Sequence, residues 1–323
     1  MENRLFVVIP CYNEEEVLCE TAARLKNKIE ILMRQGKISS DSQIVFVNDG
    51  SKDKTWDLIT KLHREDNLYR GINLTRNRGH QNALLAGLMT VKSEADMVIS
   101  MDADLQDDID AMDEMVKKYL DGCDIVYGVR SNRKKDSFFK RFTAEGFYRL
   151  MKTLGVETVF NHADYRLMSK RALDGLAEFK EVNLFLRGMI PMIGYRTDTV
   201  FYERAERFAG KSKYPLKKMI SFAFEGITSL STKPIRMIAW LGFLVFFVSI
   251  IMLIYIVCRF FAGETVTGWA SVATSVWAIG GLLLLSIGVV GEYIGKIYLE
   301  TKGRPRYLVA EYLGKEDSSD EKG

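Results

Sequence analysis

Cysteine is scarce in this chain and poorly spaced for chemistry. Cys11, Cys19, Cys123 and Cys258 are the four present in 323 residues. None forms a C-x-x-C pair, which argues against a zinc site and suits a reducing compartment. Histidine is rarer still. His63, His80 and His162 support no metal cluster. The first apolar run is not followed by G-x-G-x-x-G, so a dinucleotide-dependent dehydrogenase is unlike this sequence. The opening stretch Leu5-Phe6-Val7-Val8-Ile9-Pro10 is too short to cross a bilayer and has no signal-peptide cleavage pattern, so the leading part is expected to stay in the cytosol. No internal repeat is present, and a net charge of +3 offers no basic groove for nucleic acid.

What is abundant is apolar sequence, unevenly spread. Residues 237–258 and 265–291 contain no charged side chain. Each run exceeds the roughly 20 apolar residues needed to cross a bilayer. Lys211, Lys213, Lys217, Lys218, Lys233 and Arg236 precede the first run, and Lys296, Lys302, Arg304 and Arg306 follow the second. The positive-inside rule then puts both long ends in the cytosol, joined by a membrane hairpin. Gly280, Gly281, Gly288, Gly291 and Gly295 permit close helix packing in the bilayer. The resulting division is a catalytic domain over 1–212, an amphipathic segment over 213–234, two spans within 235–293 (about 237–259 and 268–291), and a cytosolic tail over 294–323. The 213–234 pattern fits an interfacial helix or a packed core helix equally.

Before the spans, strand-like and helix-like stretches alternate. Strands are expected at Leu5–Pro10, Gln43–Val47, Tyr69–Leu74, Met97–Met101 and Asp124–Arg130, with helical patterns between the first four. Polar residues gather where each strand stops, which argues for an α/β, doubly wound, mostly parallel sheet that binds its ligand at the carboxyl ends. The sharpest of these ends is Met97-Val98-Ile99-Ser100-Met101-Asp102-Ala103-Asp104-Leu105-Gln106. Two carboxylates one residue apart form a minimal hard-oxygen site for Mg²⁺ or Mn²⁺ carrying a diphosphate. The plainer reading is a solvated strand end whose acids favour a helix N-terminus.

Three segments together resemble family 2 glycosyltransferases: Val8-Ile9-Pro10-Cys11-Tyr12-Asn13-Glu14-Glu15, Val47-Asn48-Asp49-Gly50-Ser51-Lys52-Asp53 and Asp102-Ala103-Asp104-Leu105-Gln106. The resemblance implies a GT-A fold acting on nucleotide-diphospho-sugars. It implies that Pro10, Tyr12, Asn13, Glu14 and Asp49 line the nucleoside pocket, and that Asp102, Ala103, Asp104 and Gln106 hold the donor, with Asp104 and Gln106, supported by Asp102, at the metal. One departure is Asp108-Ile109, where the family often carries a proline pair.

Further matches narrow the resemblance to polyprenyl-phosphate (bactoprenol) glucosyltransferases and the dolichol-phosphate mannosyltransferase-like group. Asn161-His162-Ala163-Asp164-Tyr165-Arg166-Leu167 is similar to their acceptor-side motif, which makes Asp164 catalytic; the plainer reading is a helix N-cap before Ser169. Arg204–Tyr214 looks like their R-x-x-G-x-S-K-Y element, in which Arg207 and Lys213 reach donor phosphates. Residues 130–142 alternate basic and aromatic side chains. A solvated helix and a nucleic-acid surface are alternatives, but the downstream spans favour a membrane-surface helix. Arg130, Arg133, Ser137, Lys140 and Arg141 are then candidates for an acceptor phosphate.

The expected reaction is inverting transfer of glucose from UDP-glucose to undecaprenyl phosphate, for modification of a cell-envelope glycan. UDP-N-acetylglucosamine or GDP-mannose are alternative donors. A processive polysaccharide synthase would share the donor motifs, but the Q-x-x-R-W element and further spans are absent. A non-catalytic adaptor is opposed by the intact Asp102, Asp104, Asp164 and Arg207. The resemblance further implies a homo-oligomer (a tetramer), an inner-membrane location, and a flippase or an extracellular glycosyltransferase as functional partner.

Overall fold

The computed structural model describes residues 3–131, 162–203, 232–261 and 268–314. It divides into two units, one within Met1–Tyr148, Glu157–Pro215 and Arg304–Gly323, the other within Arg149–Val156 and Leu216–Gly303.

The first unit is built on one eight-stranded sheet. Its elements in chain order are β1 (Leu5–Cys11), α1 (Leu18–Arg34), β2 (Gln43–Asn48), α2 (Thr55–Glu65), β3 (Tyr69–Leu74), α3 (His80–Val91), β4 (Met97–Ser100), α4 (Ala111–Leu120), β5 (Ile125–Arg130), β6 (His162–Ser169), α5 (Lys170–Ala177), α6 (Leu186–Met192) and β7 (Thr197–Tyr202). A last strand, β8 (Val309–Leu313), follows the second unit's helices. The strand order is β7-β5-β6-β4-β1-β2-β3-β8. β1, β2, β3 and β4 pair in parallel, as do β5 and β7, while β6 runs antiparallel between β4 and β5.

β1 and β2 are near-continuous apolar runs whose successive side chains face opposite layers, so both are buried along their whole length. Leu5, Val7 and Ile9 pack on one side with Leu25 and Ile29 of α1 and Met112 and Met115 of α4. Phe6 and Val8 pack on the other with Leu84 and Leu88 of α3, Leu173 of α5 and Ile190 of α6. Helices on both faces make the expected doubly wound sheet, and its parallel carboxyl ends form one edge where ligands bind.

Two features sharpen the sequence reading, one ruling out the plainer alternative for Asp164 and one adding structure after the second helix. Asp164 is not a helix N-cap; it lies inside β6, and the cap of α5 is Ser169, whose Oγ accepts the Ala172 N–H at 3.0 Å. Residues 294–323 are not simply a tail. The helix before them continues to Lys302, and β8 pairs antiparallel with β3.

The second unit contains α7 (Lys233–Phe261) and α8 (Trp269–Lys302). Lys233–Met252 and Ala278–Lys302 are long and apolar enough to cross a membrane. Large side chains such as Trp240, Phe243, Leu284 and Ile287 are exposed along them, as lipid-facing residues would be. At about 1.5 Å per residue, α8 outlasts a hydrocarbon core of about 30 Å, and its later turns carry Glu292, Lys296 and Glu300. Gly303, at φ +55°, ends it with a left-handed residue that only glycine adopts cheaply. Of the expected amphipathic segment, 213–231 lies outside the described residues, and Lys233 and Pro234 belong to the first turn of α7.

Candidate active site

The loops after β1 and β2 are laced together. Asn13, in the left-handed region at φ +53°, accepts the Lys52 N–H on Oδ1 at 2.8 Å and donates its own N–H to Ser51 Oγ at 3.0 Å. The Glu14 N–H donates to Thr55 Oγ1 at 2.9 Å, and the Lys54 N–H to Glu15 Oε2 at 3.0 Å. Asn13 therefore builds the rim, and Tyr12, 38% exposed, is the apolar surface beside it. Pro10 sits within β1, opposite Val47.

Asp49 reaches the next loop. Its two carboxylate oxygens accept the N–H groups of Arg78 (2.6 Å) and Gly79 (2.9 Å). Burial pushes its carboxyl up despite both bonds. Gly50 has φ +63°, and a Cβ there would stand 2.5 Å from Asn77 N. Loop 76–79 is thus pressed onto the end of β2, which fixes His80 at the start of α3.

The Asp102–Asp107 turn follows β4. Thr21 of α1 donates to the carbonyl of Ala103 at 2.8 Å, Leu105 takes a left-handed φ of +56°, and the Gln106 N–H reaches Asp104 Oδ1 at 3.3 Å. This folds the Asp-x-Asp-x-Gln stretch back on itself. Burial, together with the charges of Asp107, Asp164 and Asp104, pushes the Asp102 carboxyl up to about 6, while His80 opposes the rise.

Asp164 is the other centre. β6 carries it alongside β4, where Ser100 Oγ donates to the Asp164 carbonyl at 2.6 Å. Its carboxylate is held by Arg166 Nη2 at 2.5 Å from behind, and by Arg187 of α6 through Nη2 (3.0 Å) and Nε (3.3 Å). His80 Nε2 lies 3.5 Å from Asp164 and 3.6 Å from Asp102, bridging the two acids. Burial alone would raise the Asp164 carboxyl. The cations of Arg187, His80 and Arg166 outweigh it and hold the group well below the usual carboxylate range. His80 is raised in turn, because Asp164 and Asp102 overcome the effect of its burial. A carboxylate fixed in this way orients ligands; it is a poor proton acceptor.

The structure thus brings together Asp102, Asp164 and His80, with Asp104 and Gln106 on the same turn, and Pro10, Tyr12, Asn13, Glu14 and Asp49 along the adjoining rim. Arg130, at the end of β5, donates to Asp107 Oδ1 at 3.4 Å and to Tyr202 Oη at 3.3 Å. Arg133, Ser137, Lys140, Arg141, Arg207 and Lys213 lie outside the described residues. Among the described residues, no three His, Cys, Asp or Glu side chains form a group able to hold a metal unaided. His80, Arg166, Arg187, Asp107 and Tyr202 were not among the expected site residues. Two signals could have found some of them: His80 ends the polar run after a parallel strand, and Arg187 is a lone charge in Leu184-Phe185-Leu186-Arg187-Gly188-Met189.

Comparison with known proteins identifies the family. The family model described as glycosyl transferase family 2 matches residues 6–176. The glycosyltransferase YkoT of Bacillus subtilis (strain 168) is 53% identical over 305 residues, covering 94% of this chain and 90% of that protein. The bactoprenol glucosyl transferase of Shigella phage SfX is 39% identical over 311 residues, covering 95% and 98%. Among solved structures, the mannosyltransferase PcManGT of Pyrobaculum calidifontis overlaps at a TM-score of 0.44 and 17% identity, over 93% of this chain and 85% of that one. The match over more than half the chain and the near full-length relatives give one conclusion: this chain is a glycosyltransferase and belongs to glycosyl transferase family 2.

Proposed function

We propose that the chain transfers glucose from UDP-glucose to a polyprenyl phosphate at the cytosolic face of a membrane, with inversion at the anomeric carbon. The observation that carries this reading is the state of Asp164. Locked as a carboxylate between Arg166 and Arg187, it is ill suited to deprotonate a hydroxyl. A phosphate acceptor needs no such base, because it is already anionic near neutral pH. Two membrane-length helices in the same chain favour an acceptor whose tail lies in lipid. Relatives named bactoprenol glucosyl transferase, 38–39% identical over 311 residues, favour glucose and a polyprenyl carrier.

The acid cluster suits a hard divalent cation. Asp102, raised by burial and then by its acidic neighbours, would be relieved by added positive charge, and the donor set is oxygen throughout. Asp104 and Gln106, with Asp102, would hold Mg²⁺ or Mn²⁺, and donor phosphates would complete its oxygen shell. Such an ion supplies charge neutralisation on the departing diphosphate. Asp164 and His80 orient the sugar between donor and acceptor. Arg130, with Arg133, Ser137, Lys140 and Arg141, takes the acceptor phosphate, and Arg207 and Lys213 steady the donor phosphates. The setting that goes with this chemistry is a multi-pass inner-membrane homo-oligomer with a cytosolic catalytic domain. Its functional partner is a flippase or an extracellular glycosyltransferase.

The test incubates purified full-length protein with undecaprenyl phosphate, Mn²⁺ or Mg²⁺ and labelled UDP-glucose, with Asp104→Ala as control. A mild-acid-labile lipid-linked sugar from wild type and none from the control is the expected result. Transfer only from UDP-N-acetylglucosamine or GDP-mannose overturns the glucose assignment, and no transfer from any donor overturns the reaction.

A further inference from the structure

We propose that Thr21 is a positioning residue for the donor side: its hydroxyl holds the peptide between Ala103 and Asp104, and so aims Asp104 at the cation and the diphosphate. The inference rests on the reading of Asp102, Asp104 and Gln106 as the donor and metal side.

Thr21 lies fully buried on the inner face of α1, among Leu18, Ala22 and Leu25. An apolar residue of the same shape would pack there equally well, so packing does not explain the hydroxyl. Its Oγ1 stands 2.8 Å from the carbonyl oxygen of Ala103 and 3.0 Å from that of Val17. One hydroxyl proton cannot serve both fully. The Val17 carbonyl already accepts the Thr21 N–H at 3.0 Å, the ordinary helical bond. The Ala103 carbonyl belongs to a residue only 4% exposed, and no other donor reaches it among the described residues. A buried carbonyl left without a donor is costly, so the bond to Ala103 is the one that matters.

That carbonyl stands where the chain reverses. As far as Met101 the sheet dictates the path: β4 ends at Ser100, and the Met101 N–H donates to the Val8 carbonyl at 3.2 Å. Leu105 is already left-handed, and between these two points Thr21 supplies a fixed hold from another element. The same helix grows out of the nucleoside rim. The Leu18 N–H donates to the Glu14 carbonyl at 3.0 Å, while the Glu14 N–H is held by Thr55. α1 thus meets the rim at its start and the diphosphate turn within its first turn, and Thr21 is the contact that spaces one from the other. In the sequence it is a polar residue inside an apolar helical stripe, with nothing to mark it as facing residue 103.

The experiment measures UDP binding to the full-length protein by titration calorimetry, with Mn²⁺ and again with EDTA. Wild type should gain affinity from Mn²⁺. Thr21→Val keeps the branched shape and removes the hydroxyl. It should lose about tenfold in affinity with Mn²⁺ and stay within about twofold in EDTA. Thr21→Ser keeps the hydroxyl and should stay within about twofold of wild type in both. A purely structural role predicts the reverse: Val, an apolar core residue, is tolerated, and Ser, which leaves a gap, is not. Should Thr21→Val fail to fold, Thr21→Ser and Thr21→Ala decide, because they share the gap and differ in the hydroxyl. A loss with Mn²⁺ in Ala but not in Ser supports the proposal, and equal behaviour overturns it. A Thr21→Val variant that keeps wild-type affinity with Mn²⁺, or loses as much in EDTA, also overturns it. Wild type whose UDP affinity is indifferent to Mn²⁺ overturns both the donor-side reading and this role. Wild type that shows the variant pattern but transfers no sugar to undecaprenyl phosphate overturns the proposed reaction and keeps the positioning role.

Discussion

Asp164 sits between two guanidinium groups, and Arg166 behind it is only 1% exposed. Arg166 Nε and Nη1 find no partner among the described residues, so the Asp164 carboxylate is what balances a buried cation. Asp164→Asn should therefore cost about 3–5 kcal/mol of stability, measured by chemical denaturation, in addition to its effect on turnover. The pH dependence has a definite sign. A carboxyl held below its unfolded value contributes its full stabilisation above that value, near 4, and loses it as pH falls through the lower folded value. The gap between wild type and Asp164→Asn should widen as pH falls through about pH 7, where His80 gains the proton that Asp164 stabilises, and narrow only below about pH 4. A gap that already closes between pH 7 and 5 would contradict the assignment. At this scale the sequence was partly legible. Asp102 and Asp104 were singled out by a motif at the end of a strand and Asp164 by a motif alone, and in the fold His80 stands between Asp102 and Asp164. His80 and Arg187 were not singled out, because their importance comes from a meeting of α3 and α6 across β6 that no local spacing encodes.

Among elements, loop 76–79 depends on the turn before it. Gly50 is close to the backbone of Arg76 and Asn77 and carries a positive φ, so Gly50→Ala meets both a clash and an unfavourable conformation. We expect a loss of about 2 kcal/mol or more, with weaker nucleotide binding as Asp49 loses its hold on Arg78 and Gly79. Thermal melting and UDP titration would check both; an unchanged UDP affinity would detach the loop from the donor site. The parallel strands were legible because full burial writes them as continuous apolar runs, as in Leu5–Ile9 and Gln43–Val47. β6 and β7 were not. His162–Ser169 mixes Asp164 and Arg166 into its pattern, and Thr197–Tyr202 is an edge strand with exposed positions, so neither carries that signature.

At the scale of the whole molecule, the catalytic sheet is completed by sequence that follows the membrane-length helices. Arg70 of β3, 4% exposed at its side chain, donates to Glu94 at 2.8 Å and to Tyr312 Oη of β8 at 2.7 Å, and it lies over the Phe6 ring. Tyr312→Phe should cost about 1.5 kcal/mol in chemical denaturation of the full chain, and no measurable loss would show β8 to be held by its backbone pairing alone. Arg306 adds a second tie, donating to the Phe179 carbonyl at 2.6 Å.

The placement of β8 also sets an order of manufacture. A ribosome releases β1 to β7 first, then α7 and α8, and only then the strand that covers the open edge of β3. Until both helices have been translated, the catalytic sheet keeps an unpaired edge, the kind of surface on which chains aggregate. Completion of the sheet therefore waits on synthesis of both membrane-length helices, and a chain interrupted between Lys302 and Val309 keeps both helices but has an unfinished sheet.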